Sequence, residues 1–209
     1  MFEGFFTMVH KHGQYTGEFG AWLTGLIQKR VPLQGYLIFF DHGENVDFAN
    51  VGAIKGFYGE RVTNQNRLAD IDVLIANNKD EAVLLIEIEE RAISPKKLLG
   101  DIYAILFCNR VAIKIGDKQK KISISPKTRL IVAGIVPSSG QRHFKIRDVI
   151  LPSSGQRHFK IRDVILPRMR QFAVPADAIS LENISVISGE SSLDLLNKLK
   201  EETKHLLHL

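Results

Sequence analysis

The chain has 209 residues, 44% of them hydrophobic and 24% charged, which suits one ordinary globular domain spanning 1–209 and argues against intrinsic disorder. A single cysteine, Cys108, excludes an internal disulfide framework, and no apolar run approaches the length of a membrane span, so a cytoplasmic protein with no membrane partner is expected. The formal charge of +5 suggests a polyanionic partner, but part of it has one source: PSSGQRHFKIRDVIL at 137–151 recurs letter for letter at 152–166, and losing one copy would leave +3.

In chain order, the opening MFEGFFTMVHKHG has an acid at position 3 and no long apolar core, so no export signal is expected. Residues 16–30, TGEFGAWLTGLIQKR, place Phe19, Trp22, Leu23 and Leu26 on one side of a helix that the following VP ends. GYLIFF reads as a short buried strand closed by the turn-like DHGEN. The stretch from Val46 to Asn66, with Gly52, Gly56 and Gly59, predicts loops and short pieces. RLADIDVLIA and AVLLIEIEE then read as two strands joined by the polar NNKDE and paired antiparallel.

SPKKLLGDIYAILFCN follows as a helix. Ser94 is its N-cap, Pro95 its first helical position, and Leu98, Leu99, Ile102, Ile105 and Leu106 its apolar face. RVAIKI and KISIS flank GDKQK as a second hairpin, and RLIVAGIV is a buried strand that runs into the duplicated segment. Two copies of fifteen residues are too few and too short for a solenoid. One copy of 137–166 is therefore expected to occupy its place in the fold and the other to be inserted, because loop length costs little. At the end of the chain, Ser191 with Asp194 resembles a capping box, and 190–209 form an amphipathic helix through Leu195, Leu196, Leu199, Leu206 and Leu207. His10, His12, His205 and His208 read as scattered tail residues, Cys108 reads as packing, and no Gly-rich phosphate loop is present.

The acids of the first strand pair form the main constellation. Strand side chains alternate, so Glu87 and Glu89 share a face, as do Asp70 and Asp72. A loop at 77–80 puts Asp70 across from Glu87, and a register shifted by two puts Asp72 there instead; the pattern permits either. Like charges facing each other destabilise a sheet unless their pKa values shift or a cation joins them. Magnesium, which takes a few carboxylates together with water and phosphate oxygens, is the cation that suits such a group. An acidic strand end on a solvated edge is the plainer explanation of the same residues.

ADIDVLI…AVLLIEIEERAISPKKLLGDIYAIL resembles the PD-(D/E)xK nuclease superfamily, whose pattern is an Asp at the start of one strand, an acid-x-Lys on its neighbour and a helix after it. The match covers roughly 67–108. The resemblance implies an α/β fold of the restriction-endonuclease-like type, with a central mixed sheet flanked by helices. It also implies a Mg2+- or Mn2+-dependent nuclease acting on nucleic acid, DNA rather than RNA. Asp70 stands for the motif Asp, with Ala69 where Pro is typical, and Glu87 stands for the first acid of the second half-motif. Glu89 occupies the lysine position; Lys96 or Lys97 is the candidate for a compensating cation, with solvent-facing helix lysines the plainer explanation of both, and Asp72 is an added metal ligand or the motif acid itself. Lys114, Lys118, Lys120 and Lys121, with Arg142, Lys145, Arg147 and their copies, would track a phosphate backbone. Two other readings compete: a nuclease-like nucleic-acid-binding module without catalysis, and a non-enzymatic interaction domain that docks a partner on its terminal helix. The oligomeric state is open between monomer and homodimer.

Overall fold

Why a run of ten strand-forming residues should break in the middle is explained by the two sheets it serves. The computed structural model describes residues 13–29, 35–41, 51, 53–92, 95–115, 117–135 and 175–208. The duplicated 137–166 segment, Ser94, His10 and His12 lie outside the described residues, as do the side chains of 91–96. The elements are α1 (Gln14–Gln28), β1 (Leu37–Phe40), β2 (Ile54–Phe57), β3 (Arg67–Asp70), β4 (Val73–Ala76), β5 (Ala82–Ala92) and α2 (Pro95–Leu106), followed by β6 (Arg110–Ile115), β7 (Lys118–Ser123), β8 (Arg129–Ile135), β9 (Ile184–Gly189) and α3 (Ser192–Leu206).

A five-stranded sheet has the order β1-β4-β5-β8-β9, antiparallel through β1, β4 and β5 and parallel through β5, β8 and β9. The second sheet is antiparallel, in the order β3-β2-β6-β7. The protein is thus α/β with a central mixed sheet. Among the described residues, no helix is long and apolar enough to cross a membrane.

The mixed sheet is covered on both faces, which is why the first half of β5, residues 82–86, and β8 from Leu130 onward read as unbroken apolar runs. On one face, Val73, Ile75, Leu84, Ile86, Ile88 and Ile131 pack against Phe19, Leu23 and Ile27 of α1 and Leu195 and Leu199 of α3. On the other, Leu74, Leu85, Leu130 and Val132 meet Leu98, Ile102, Ile105 and Leu106 of α2 and the inner residues Ile54, Val111, Ile113 and Ile122 of the second sheet. Glu87 and Glu89 alternate with Ile86 and Ile88, so they project toward the α2 side.

The RLADIDVLIA run is two strands rather than one. Ile71 donates its N–H to Ile54 O at 3.0 Å, continuing the pairing of β3 with β2, while Asp72 O accepts from Asp41 N at 2.9 Å beside β1. The chain changes sheets between these two residues. The second hairpin also differs from expectation, because pairing runs on to Ile115↔Lys118 and leaves only positions 116–117 as the connection. Two strands, β2 and β9, were not expected as such.

Helix ends are satisfied by named groups. The residue before α1 is Gly13, at φ 82°, which offers no side chain, and the first turn of α1 has no acid. Glu90 supplies the missing acceptor from β5, taking N–H groups from Gly13 at 2.8 Å, Tyr15 at 3.0 Å and Thr16 at 3.1 Å. At α3, Ser191 Oγ accepts from Asp194 N at 3.2 Å, as the capping box predicts. The return bond goes one residue further back, from Glu190 N to Asp194 Oδ2 at 2.9 Å. The hydrogen bond from the Lys198 ammonium and, after it, the Glu190 N–H hold the Asp194 carboxyl below the usual range.

Candidate active site

Three elements bring the acids together: the residue that opens β4, the latter half of β5 and the first turns of α2. Val73 faces Ile86, Leu74 faces Leu85 and Ile75 faces Leu84, and the same register carried one step back sets Asp72 beside Glu87. Of the two registers the sequence permits, the structure adopts the one shifted by two.

Asp70 therefore does not stand opposite Glu87. It lies at the end of β3, paired across the second sheet with Lys55, and its side chain is 66% exposed and ion-paired with Arg67. Its charge is felt at Glu87, but more weakly than those of Asp72, Asp101 and Lys97. The reason is the change of sheet at Ile71 and Asp72, which puts the two aspartates on different strands.

Asp72 is held in place from several sides. Its Oδ2 accepts the N–H of Ile88 at 2.6 Å, and its carbonyl accepts from Asp41. Burial pushes its carboxyl up to about 7; the Ile88 N–H opposes this, the charges of Glu90 and Asp41 add to it, and Lys97 opposes it again. Glu87 is raised well above the ordinary glutamate value, first by burial and then by Asp72 and Asp101, with Lys97 acting the other way. Glu87 Oε2 is buried and has no hydrogen-bond partner among the described residues.

Lys97, whose side chain is 55% exposed, forms an ion pair with the carboxylate of Glu89, which is 11% exposed, and its charge opposes the rise in pKa at Asp72, Glu87 and Asp101 alike. An ammonium from the helix thus stands among the acids where the related pattern has a strand lysine. Lys96 has its side chain outside the described residues.

Asp101 was not singled out in the sequence. It lies one turn beyond Lys97 on α2, its Oδ2 is buried with no hydrogen-bond partner among the described residues, and burial raises its pKa against the opposing charge of Lys97. The i, i+4 spacing of Lys97 and Asp101 on a predicted helix was the available signal.

Chemically, the site offers two facing carboxylates that resist ionisation, a glutamate and lysine held together, and a third acid beside them. Among the described residues, no group of three or more His, Cys, Asp or Glu side chains is gathered closely enough to form a complete ligand set. Two carboxylates with water and a substrate phosphate are nevertheless a common magnesium environment. The orphaned oxygen of Glu87 beside Asp72 fits that need.

Comparison with protein-family models, with curated proteins and with solved structures gave no match to this chain. The functional reading therefore stands on the site itself.

Proposed function

We propose that the protein is a divalent-cation-dependent phosphodiesterase acting on nucleic acid, DNA in the first instance, in the cytoplasm. The observation that carries this reading is the juxtaposition of Asp72 and Glu87, two half-buried carboxyls facing each other at the start of β4 and along β5, whose ionisation is suppressed and one of whose oxygens lacks a hydrogen-bond partner among the described residues. Support comes also from the order of parts: an aspartate opening one strand, an acid-x-acid on its neighbour, and a helix whose lysine returns to the acids. This is the arrangement that the resemblance to PD-(D/E)xK nucleases implies.

Asp72 and Glu87 are the residues that would hold magnesium or manganese. When bound, the ion supplies charge neutralisation on the phosphodiester and acidifies the attacking water. Asp72 is fixed for this role by the Ile88 N–H. Lys97, held by Glu89, keeps a positive charge near the two ligands and steadies the scissile phosphate, while Glu89 orients water from its side of the site. Asp70 shapes the local field from the site's margin, in its pair with Arg67.

The test is cleavage of plasmid and oligonucleotide DNA with magnesium or manganese, against chelator controls. Asp72→Asn and Glu87→Gln are expected to lose about 10²-fold or more in rate, Lys97→Ala about ten-fold or more, and Asp70→Asn only a few-fold. Wild-type rates in both Asp72→Asn and Glu87→Gln would overturn the assignment. Salt-sensitive DNA binding with no cleavage by the wild type would favour the non-catalytic binding module, the reading that Glu89 at the lysine position supports.

A further inference from the structure

Three of the few large hydrophobic side chains left exposed cluster in one place. Tyr58 is 55% exposed, Phe107 44% and Leu68 42%, and all three line a groove of roughly 600 Å³ together with Ala104, Gln65 and Asn66. A groove of this size falls in the range that small ligands occupy, and exposed apolar surface gathered in one patch marks an interaction site more often than the same residues scattered.

The groove is built to hold its shape. The backbone around Tyr58 is pinned by Asn66, whose O accepts the Tyr58 N–H at 3.1 Å and whose side-chain amide donates to Tyr58 O at 2.6 Å. Asn66 Oδ1 in turn accepts from the N–H and hydroxyl of Thr63 at 2.9 and 2.7 Å. Phe107 directly follows α2, and its N–H bonds Tyr103 O at 3.1 Å. Two aromatic rings are thus offered to solvent from anchored backbone, so ordering them against a ligand costs little entropy.

The groove lies further along the same side of α2 as the candidate active site. Lys97, Asp101 and Ala104 follow one another at helical spacing on one side of α2, and Phe107 comes about 15 Å along the helix axis from Lys97. Leu68 and Asp70 occupy alternate positions of β3, so that strand too reaches from the groove toward the acids. Chemistry changes sharply along the path: the site is crowded with carboxylates, whereas among the described residues none that lines the groove is charged.

From these observations we infer that the groove is a stacking subsite for one or more unpaired nucleobases adjoining the scissile phosphate, so that the substrate is a single-stranded or frayed nucleic acid rather than an intact duplex. This rests on the phosphodiesterase reading. Bases within a duplex keep their faces stacked on one another and present none to an aromatic groove, whereas unpaired bases stack on Tyr and Phe irrespective of sequence. The aromatic and apolar side chains of the described lining suit the face of a base, and the lysine-bearing end of α2 suits the phosphate that follows it.

The experiment measures binding of single-stranded and blunt duplex oligonucleotides of equal length, with 2-aminopurine in the single strand, to the full chain in calcium. The wild type is expected to prefer the single strand and to quench 2-aminopurine. Tyr58→Ala and Phe107→Ala should each weaken single-strand binding on the order of ten-fold and reduce the quench, with Tyr58→Phe close to wild type and duplex binding little changed. Nucleic-acid binding that is indifferent to strandedness and to both alanine variants would overturn the subsite while leaving the phosphodiesterase reading intact. Failure of the wild type to bind or cut any nucleic acid would overturn both. Unaltered single-strand affinity in the variants, with pull-down of a protein segment lost instead, would assign the groove to a protein partner and reject the base-stacking role.

Discussion

Asp70 and Asp72 are separated by one residue, yet one is exposed beside an arginine and the other is half-buried beside a glutamate. The consequence is a specific pH dependence. An aspartate raised from the ordinary 3.8 to about 7 binds its proton more tightly in the folded than in the unfolded chain. Its contribution to stability is therefore greatest below about pH 4, declines as pH rises toward 7, and is flat beyond. Asp72→Asn removes this loss and should stabilise the protein near pH 8 by roughly 2–4 kcal/mol, with much less effect at pH 4, as denaturant unfolding at the two pH values will show. Magnesium binding requires the deprotonated pair, so the rise in melting temperature on adding magnesium should be present at pH 8, small at pH 5 and absent from Asp72→Asn. A melting shift equal at both pH values would contradict the ligand assignment.

The same pair shows where the sequence stops being informative about the site. A strand's side chains repeat every two residues, so moving the register by two leaves every apolar residue on its proper face. Hydrophobic patterning could gather Asp70, Asp72, Glu87 and Glu89 but could not choose which aspartate faces Glu87. The choice comes from Ile71 bonding to β2, a contact with a strand seventeen positions earlier that carries no marker in the run itself.

Among the elements, α1, α2 and α3 were legible because leucine and aromatic residues recur at helical spacing over many turns. β2 and β9 were not. Ile54–Phe57 is four residues long and contains Gly56, and Ile184–Gly189 contains Ser185 and Ser188 and ends in Gly189, so both look like loop material until neighbouring strands satisfy them. Gly56 has its own reason to be there, because a Cβ at this position would come within 2.6 Å of Cys108 Sγ. Gly56→Ala should destabilise by about 1–3 kcal/mol, and Cys108→Ala in the same chain should recover most of that loss if the sulfur is the obstacle. Glu90 gives a second test. Its carboxylate accepts three N–H groups at the start of α1, and Glu90→Ala should cost about 1–2 kcal/mol in thermal or denaturant unfolding, with Glu90→Gln costing less because it keeps an acceptor.

At the scale of the whole molecule, the excess of positive charge is unevenly distributed. Lys114, Lys118 and Lys121 are exposed on the β6–β7 hairpin, whereas Lys120 is ion-paired with Asp80 at 2.6 Å. If the exposed three contact phosphates, converting them together to glutamate should weaken nucleic-acid binding about equally for all sequences and make the dependence of affinity on salt shallower by roughly three contacts. An unchanged salt dependence would assign them to solubility alone. The α/β class and the existence of a central mixed sheet could be anticipated from the alternation of strand-like and helix-like runs. The second sheet could not, because its four strands come from three separated parts of the chain and are short or strongly charged.

The passage of the chain from one sheet to the other at Ile71 and Asp72 has a kinetic corollary. Asp72 is held between contacts to both sheets, so on the proposed function a partly folded chain with one sheet in place would hold the aspartate loosely and be inert. Recovery of cleavage after dilution from denaturant should therefore lag behind recovery of far-ultraviolet ellipticity, and the protein would carry its own check that assembly is complete.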